Sequence, residues 1–271
     1  MQDLFLSSQF CKKVFGAYNN RTKQNCRLKN RIMKLVKKRI WIIIAIALIV
    51  LAVLLWLAWT YLNGRNGPVW QFILDPEAHQ DWVTPAGYQC QDAPFSIPTD
   101  GFIGYLYGDV FQVGKRHQGI DIFAGTESGV TPVYAPYDGY LTREESWKST
   151  IIIRVPQDPL QPDRQIWIYM THLADRYGNS LIDELFPPGA KEIPVKQGQI
   201  LGYQGDYSGN PDRPVGVHLH LSIVKDDGAG NYLNELVFSN TLDPSPYFGM
   251  YLNAKTALKG PPRCIRDTGV D

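Results

Sequence analysis

The chain is poor in the residues that many metal sites depend on. It has only four cysteines and five histidines among 271 residues. None of the cysteines stands in the short paired spacing of a cysteine-ligated metal site, which argues against zinc-ribbon and iron–sulfur classes. No internal repeat or low-complexity tract is present, so a repeat architecture is excluded as well.

Acidic residues are almost missing from the N-terminal segment, and basic ones are scarce beyond it. Residues 1–39 hold seven Lys and four Arg against one acid, Asp3, whereas the rest of the chain has 16 basic and 25 acidic residues. Phosphate binding needs a basic face, so the acidic remainder indicates no nucleic-acid partner. The basic segment is expected to meet the anionic lipids of a bilayer.

A long apolar run follows the basic segment. Ile40 to Leu62 is 23 residues without a charge, and as a helix it would span about 34 Å against a hydrocarbon core of about 30 Å. A cleaved signal peptide is the alternative, although its apolar core usually has about 7–15 residues. The sequence therefore predicts a single-pass protein of the cell membrane, with the basic N-terminus cytoplasmic and the remainder extracytoplasmic.

The cysteines divide along the same line. Cys11 and Cys26 precede the predicted span and are expected to be reduced, whereas Cys90 and Cys264 lie beyond it and can form a disulfide or remain free.

Beyond the span the chain predicts a mainly β domain. Short β-rich runs alternate with Gly and Pro turns, whereas helix is weakly signalled only at Ser180 to Phe186. The predicted strands are 120–124, 132–136, 140–142, 150–155, 165–172, 200–204 and 217–224. The predicted organisation is a basic segment at 1–39, a transmembrane helix at 40–62, a membrane-proximal stalk at 63–97, the β domain at 98–248 and an irregular tail at 249–271. Apolar residues of the stalk, among them Trp70 and Phe72, are expected to pack on the domain or on the bilayer.

Four of the five histidines fall into three short clusters on predicted strands. His218 and His220 alternate with apolar residues, so both rings emerge on one face, with their backbones roughly 7 Å apart. They could both bind one ion, or one could act as a base beside it, or they could simply occupy the outer face of a strand. His117 and Asp121 offer a nitrogen and a carboxylate around Gly119, whose missing Cβ would allow a sharp turn.

The third cluster ends a predicted strand at His172. Alone, each cluster has an ordinary structural explanation. Together they predict one metal site, and a divalent metal that activates water for hydrolysis is the first hypothesis.

The flanks of these clusters resemble the lysostaphin-like (LytM-type) zinc metallopeptidases of bacterial cell walls. The matching segments run from about Pro98 to Tyr247, in the family's order, and include HQGID at 117–121, YMTHL at 169–173, KQGQILG at 196–202 and HLHL at 218–221. The loops at 174–194 and 206–216 depart from the pattern.

The resemblance implies one Zn²⁺ per domain, bound by His117, Asp121 and His220. It also implies that His172 and His218 handle protons without binding the metal. The expected fold is an antiparallel, barrel-like sheet with an open groove, and the expected rate profile is bell-shaped, with an acidic limb near the unperturbed imidazole pKa of about 6.5.

Two functions remain open from the sequence. The first is a membrane-anchored zinc metalloendopeptidase that cuts peptidoglycan cross-links or stem peptides. The alternative is a non-catalytic relative that uses the groove to bind or regulate a cell-wall hydrolase, a divisome protein or another envelope partner.

Overall fold

The computed structural model describes residues 20–63, 66–112 and 114–265. The chain divides into two compact units, one ending at Thr60 and the other beginning at Tyr61. The finer boundaries predicted at residues 97 and 248 stay predictions. Cys11 lies outside the described residues and the side chain of Cys26 is not described either, so their reduced state stays a prediction too.

The described residues of the first unit all belong to one long helix, α1 (Asn20–Asn63), which ends three residues beyond Thr60. Its 44 residues contain neither Gly nor Pro, so nothing in the backbone interrupts the helical hydrogen bonds. The stretch Arg31–Trp59 is long and apolar enough to cross a membrane, by length and composition alone. A signal sequence would satisfy the same criterion, so α1 is a candidate membrane span.

The second unit is built from short strands, as the sequence predicted. Those among the described residues are β1 (Phe102–Tyr105), β2 (Val110–Gln112), β3 (Lys115–Arg116), β4 (Ile120–Phe123), β5 (Pro132–Tyr134), β6 (Gly139–Thr142), β7 (Ile151–Val155), β8 (Ile166–Thr171), β9 (Ile193–Val195), β10 (Ile200–Tyr203), β11 (His218–Lys225) and β12 (Thr241–Leu242). Each of the seven predicted strands is present. The mainly β prediction is confirmed.

Eight of these strands form one antiparallel sheet. Its order is β1-β4-β11-β8-β7-β6-β9, and β12 pairs with β11 outside this path. The pairs β5–β10 and β2–β3 form two small sheets beside it. The path places β4, β11 and β8 side by side, although they are far apart in the chain.

Side-chain alternation gives this sheet two different faces. Ile120, Ile122, Leu219, Leu221 and Met170 point from the three central strands into the main hydrophobic core and are fully buried. The residues between them project from the opposite face. That face carries the histidine clusters.

A short helix from the predicted stalk packs on the edge of the sheet. In α2 (Asn66–Leu74), Val69 and Phe72 are buried against Phe102 and Phe123. Gly104 of β1 permits this contact, because a Cβ there would lie 2.6 Å from Val69 Cγ2. Of the two expectations for the stalk, packing on the domain is the one observed.

The remaining helical pieces are short. Within the described ranges they are two 3-10 turns, Glu77–Trp82 and Phe238–Asn240, and α3 (Ser245–Phe248).

The helix predicted at Ser180 to Phe186 is wrong, since the segment forms turns and a bridge between Ile182 and Gly202. The buried Arg143 guanidinium donates to Phe186 O and Ser180 Oγ. These tertiary contacts outweigh a weak local preference for helix.

Cys90 and Cys264 form a disulfide, with their Cα atoms 5.7 Å apart. The bond joins the segment before β1 to the end of the described chain. This confirms the pairing that the sequence left open.

Candidate metal centre

Three adjacent strands bring the polar clusters together. In the antiparallel register, His220 of β11 lies opposite Asp121 of β4 on one side and Thr171 of β8 on the other. His117 precedes β4, and its backbone N–H donates to Asp109 O at 2.8 Å. The sheet register therefore unites residues that are 103 positions apart.

One atom from each of three buried side chains converges on a single point. His117 Nε2 lies 3.0 Å from Asp121 Oδ1 and 3.0 Å from His220 Nδ1, and the last two atoms are 2.8 Å apart. Ligands about 2.0–2.1 Å from a tetrahedral zinc lie about 3.3 Å from one another. The three donors are thus within a few tenths of an ångström of the spacing that zinc requires, and they can hold a metal ion.

The other nitrogen of each histidine is already engaged. His117 Nδ1 lies 3.2 Å from Leu106 O, and His220 Nε2 lies 3.0 Å from Glu235 Oε1. A neutral imidazole has one N–H, and these oxygen acceptors fix that N–H at Nδ1 of His117 and at Nε2 of His220. The two nitrogens that face Asp121 then each carry a lone pair. Together with the Asp121 oxygen they make three electron-pair donors, which need a cation between them.

The pKa values of these residues describe the state in which a proton is the cation that the three atoms share. Burial raises the pKa of the Asp121 carboxyl, but His117 and His218 hold it well below its usual range. Burial lowers the pKa of His220, whereas hydrogen bonds to Asp121 and Glu235 raise it to about 10. A metal therefore has to displace a firmly held proton, and uptake should strengthen as pH rises.

His172 and His218 adjoin this centre, and their ring centroids are 4.3 Å apart. His218 Nε2 lies 3.8 Å from Asp121 Oδ1. His218 Nδ1 donates to Gly216 O at 2.6 Å and His172 Nδ1 to Tyr207 O at 2.8 Å. In both rings the proton is thus held by a backbone carbonyl, and Nε2 carries the lone pair that can accept a proton.

Burial keeps these two rings neutral. It lowers the pKa of His218, and it lowers the pKa of His172 to about 3 with the help of the neighbouring His218. The unperturbed imidazole pKa of about 6.5, on which the expected acidic limb was based, therefore does not apply to His172. His172 also has a φ of 73°, a strained conformation that is often found at functional sites.

Gly119 has a different role from the one expected. Its φ is not in the left-handed region, so it does not supply a sharp turn. Instead, a Cβ at this position would lie 2.0 Å from Leu221 O. The glycine lets the segment between His117 and Asp121 press onto β11, which draws the three donor atoms together.

The centre opens into a cleft of about 860 Å³. Three segments wall it: α2 with Trp70 and Ile73, the 206–216 loop with Tyr207 and Val215, and the 226–240 loop with Glu235. Of the described residues that line the cleft, none is Lys or Arg. A ligand in this cleft would therefore meet aromatic, apolar and uncharged or acidic polar groups rather than a patch of Lys and Arg.

Sequence reasoning missed Glu235, which lies in an irregular loop 15 residues beyond His220. Burial raises the pKa of its carboxyl, but the hydrogen bond from His220 lowers it below its usual range. The contribution of α2 to the cleft was missed as well. Tyr105 Oη donates to Asn66 Oδ1 at 2.5 Å and fixes the start of that helix beside His117. Nothing in the local pattern signalled either contact.

The chain is similar to solved structures of bacterial peptidases. Lysostaphin from Staphylococcus simulans is 23% identical with a TM-score of 0.34, over 54% of this chain and 48% of that one. A putative glycyl-glycine endopeptidase LytM from Ruminococcus gnavus is 24% identical with a TM-score of 0.38, over 58% and 59%. The catalytic domain of the prophage-encoded M23 protein EnpA from Enterococcus faecalis is 22% identical with a TM-score of 0.32, over 56% and 96%.

These structures are of the family that the sequence motifs resemble. The chain spans about half the length of the first two. No family model matches the sequence, and the search of curated proteins found no match. With identities below 25% and TM-scores below 0.5, these similarities assign no function to the chain.

Proposed function

We propose that this protein is a membrane-anchored zinc metalloendopeptidase of the lysostaphin-like family and that it cuts peptide bonds in peptidoglycan. The observation that carries the proposal is the meeting of His117 Nε2, Asp121 Oδ1 and His220 Nδ1 within 3.0 Å of one another. Two neutral histidines stand beside them in an open cleft. Peptidoglycan as the substrate follows from the resemblance of the sequence motifs.

Three protein ligands would hold the metal and leave one position open, which is typical of catalytic rather than structural zinc. When bound, zinc acts as a Lewis acid that activates water and polarises a carbonyl. His117, Asp121 and His220 would fix its place above the sheet. Two imidazoles and a carboxylate are common zinc donors but also bind other divalent first-row metals, so the choice of zinc follows from the resemblance of the sequence motifs.

His172 and His218 would move the protons. Each has its Nδ1 proton held by a backbone carbonyl, so each presents Nε2 as a base. One of them would accept the proton of the attacking water, and the imidazolium formed in this way would donate that proton to the leaving amine. The lowered pKa of both rings leaves Nε2 unprotonated at pH 7 and so supports the accepting role.

The location outside the membrane is supported by the disulfide between Cys90 and Cys264, because such bonds persist in oxidising compartments. In this proposal the apolar part of α1 is the anchor, and the basic residues before that part hold the N-terminus in the cytoplasm. The substrate would then be reached on the outer side.

The first test measures zinc and hydrolysis together. The full chain, purified in detergent, is expected to contain about one zinc per chain and to release amines from purified peptidoglycan. Removing the metal with a chelator should stop the release, and added zinc should restore it.

A matched pair of variants separates the metal from the fold. His117→Ala should lose zinc and activity, whereas His79→Ala should keep both, since His79 stacks on Trp82 away from the cleft. A wild-type chain that takes up no zinc would refute the proposal. Zinc uptake without amine release from any type of wall would instead favour the non-catalytic groove-binding role.

A further inference from the structure

We infer that Glu235 is a positioning residue of the metal centre: its carboxylate orients His220 and strengthens that histidine as a ligand. This inference rests on the proposed function, since it concerns the same metal. Glu235 Oε1 lies 3.0 Å from His220 Nε2 and 3.2 Å from Ser222 Oγ. The side chains of Glu235 and His220 are each only 10% exposed.

The contact decides which nitrogen of His220 can bind a metal. A carboxylate accepts hydrogen bonds and donates none, so Nε2 must carry the proton in this pair. Nδ1 then presents its lone pair toward His117 Nε2 and Asp121 Oδ1. Without Glu235 the ring could take the other tautomer or rotate away from the centre.

The two histidine ligands differ in the strength of this support. His117 is oriented by a neutral backbone carbonyl, Leu106 O, whereas His220 is oriented by a carboxylate. A carboxylate acceptor increases the electron density on the ring and makes the nitrogen a better donor to the metal. Asp121 and Glu235 together also bring two negative charges, which balance those of a divalent cation.

Glu235 does not depend on the metal for its position. Its neighbour Leu236 donates its N–H to Asn234 Oδ1 and accepts a hydrogen bond from Gln118 Nε2 through its carbonyl. Ser222, which is fully buried two residues after His220 on the same strand, donates a hydrogen bond to the Glu235 carboxylate. The 226–240 loop thus presents Glu235 to the ring from a fixed backbone.

The test measures zinc affinity of the full chain by competition with a chelator. Glu235→Gln retains a hydrogen-bond acceptor but removes the charge, and we expect about 10- to 100-fold weaker zinc binding. Glu235→Ala should lose at least as much zinc affinity as Glu235→Gln. Ser222→Ala should lose less zinc affinity, because the carboxylate of Glu235 stays in place. Glu127→Gln, at an exposed glutamate far from the centre, should bind zinc as the wild type does.

A second readout separates positioning from a general loss of structure. The absorption spectrum of the cobalt-substituted protein should change in Glu235→Gln, while the thermal midpoint of the metal-free variant stays close to that of the wild type. If Glu235→Gln and Ser222→Ala both bind zinc as tightly as the wild type and give its cobalt spectrum, the inference is overturned. If the wild type itself takes up no zinc, the proposed function fails first, and the two failures are distinguishable.

Discussion

The cleft floor and the cleft walls are built in different ways. The floor consists of the polar residues that β4, β8 and β11 turn toward the cleft, together with His117 and His172. Regular pairing fixes it, since each central strand is hydrogen-bonded to its neighbours on both sides. The walls are α2, the 206–216 loop and the 226–240 loop, which lie outside this sheet and are held by side-chain contacts and scattered backbone hydrogen bonds.

In the proposed function, the floor would carry out the reaction and the walls would select the substrate. A floor residue cannot move without disturbing the register of the sheet, so the donor atoms keep their spacing. A wall segment can change its conformation while the floor stays in place. Variants of the floor should therefore alter metal binding or turnover, whereas variants of the walls should alter stability or substrate affinity, except at Glu235, which contacts His220 directly.

The largest effect should come from Asp121→Ala. The change removes one of the three donors and leaves two buried histidines without their common partner. Zinc content should fall from about one per chain to near zero, and peptidoglycan hydrolysis should disappear with it. Asp212→Ala, in an exposed part of the 206–216 loop, should keep both. Unchanged zinc uptake in Asp121→Ala would break the assignment of the floor.

Next in size is His172→Ala. The ring is a proposed base that does not bind the metal, so turnover should fall by about 10²- to 10⁴-fold at unchanged zinc content. The turnover number and the bound metal are measured on the same sample. Loss of zinc in this variant would instead make His172 a ligand.

Phe72→Ala tests a wall through stability. Phe72 is fully buried between α2 and the sheet, and truncation of such a residue costs about 3–5 kcal/mol. Denaturant unfolding should report that loss. The matched change Leu74→Ala, at a residue 78% exposed on the same helix, should stay within about 0.5 kcal/mol of the wild type.

Trp70→Ala tests the same wall through binding. Trp70 lines the cleft and is 48% exposed, so its loss should raise KM for peptidoglycan fragments by about 3- to 10-fold, as for one lost apolar contact of about 1 kcal/mol. The turnover number and zinc content should not change. A fall in the turnover number at constant KM would place Trp70 with the floor.

The smallest effect should be that of mild acid on turnover at saturating zinc. Because burial holds the pKa of His172 at about 3, this ring stays neutral between pH 7 and 5. If the base were an unperturbed imidazole with a pKa of about 6.5, the turnover number would fall by about 30-fold at pH 5. Stability behaves differently, since an unfolded chain takes up this proton near pH 6.5 and the native chain does not, so stability should decrease as pH falls through that range. A rate that drops tenfold per pH unit below 6.5 would contradict a base with the lowered pKa of His172.

Much of the floor could be read from local patterns. The alternation in Val217 to Val224 predicted the strand β11, and it placed His218 and His220 on one face. The HQGID segment supplied the other two donors. Period-two alternation is a local property, so a short window of sequence contains it in full.

Other features were beyond the reach of local patterns. The strands β1 and β9 are only four and three residues long and lack a clear alternation. The role of Gly119 depends on Leu221 O, which belongs to a strand about 100 residues later. Glu235 and α2 reach the centre through contacts that leave no periodic trace in the sequence.

The sequence by itself determined the inventory: one long apolar helix, a mainly β domain and five polar residues in three clusters. Only the tertiary structure decided that His117, Asp121 and His220 meet, that Glu235 contacts one of them, and that α2 lines the cleft. The reason is physical. Strand periodicity decides which way a side chain points, but the pairing of distant strands and the packing of loops decide which side chains lie next to one another.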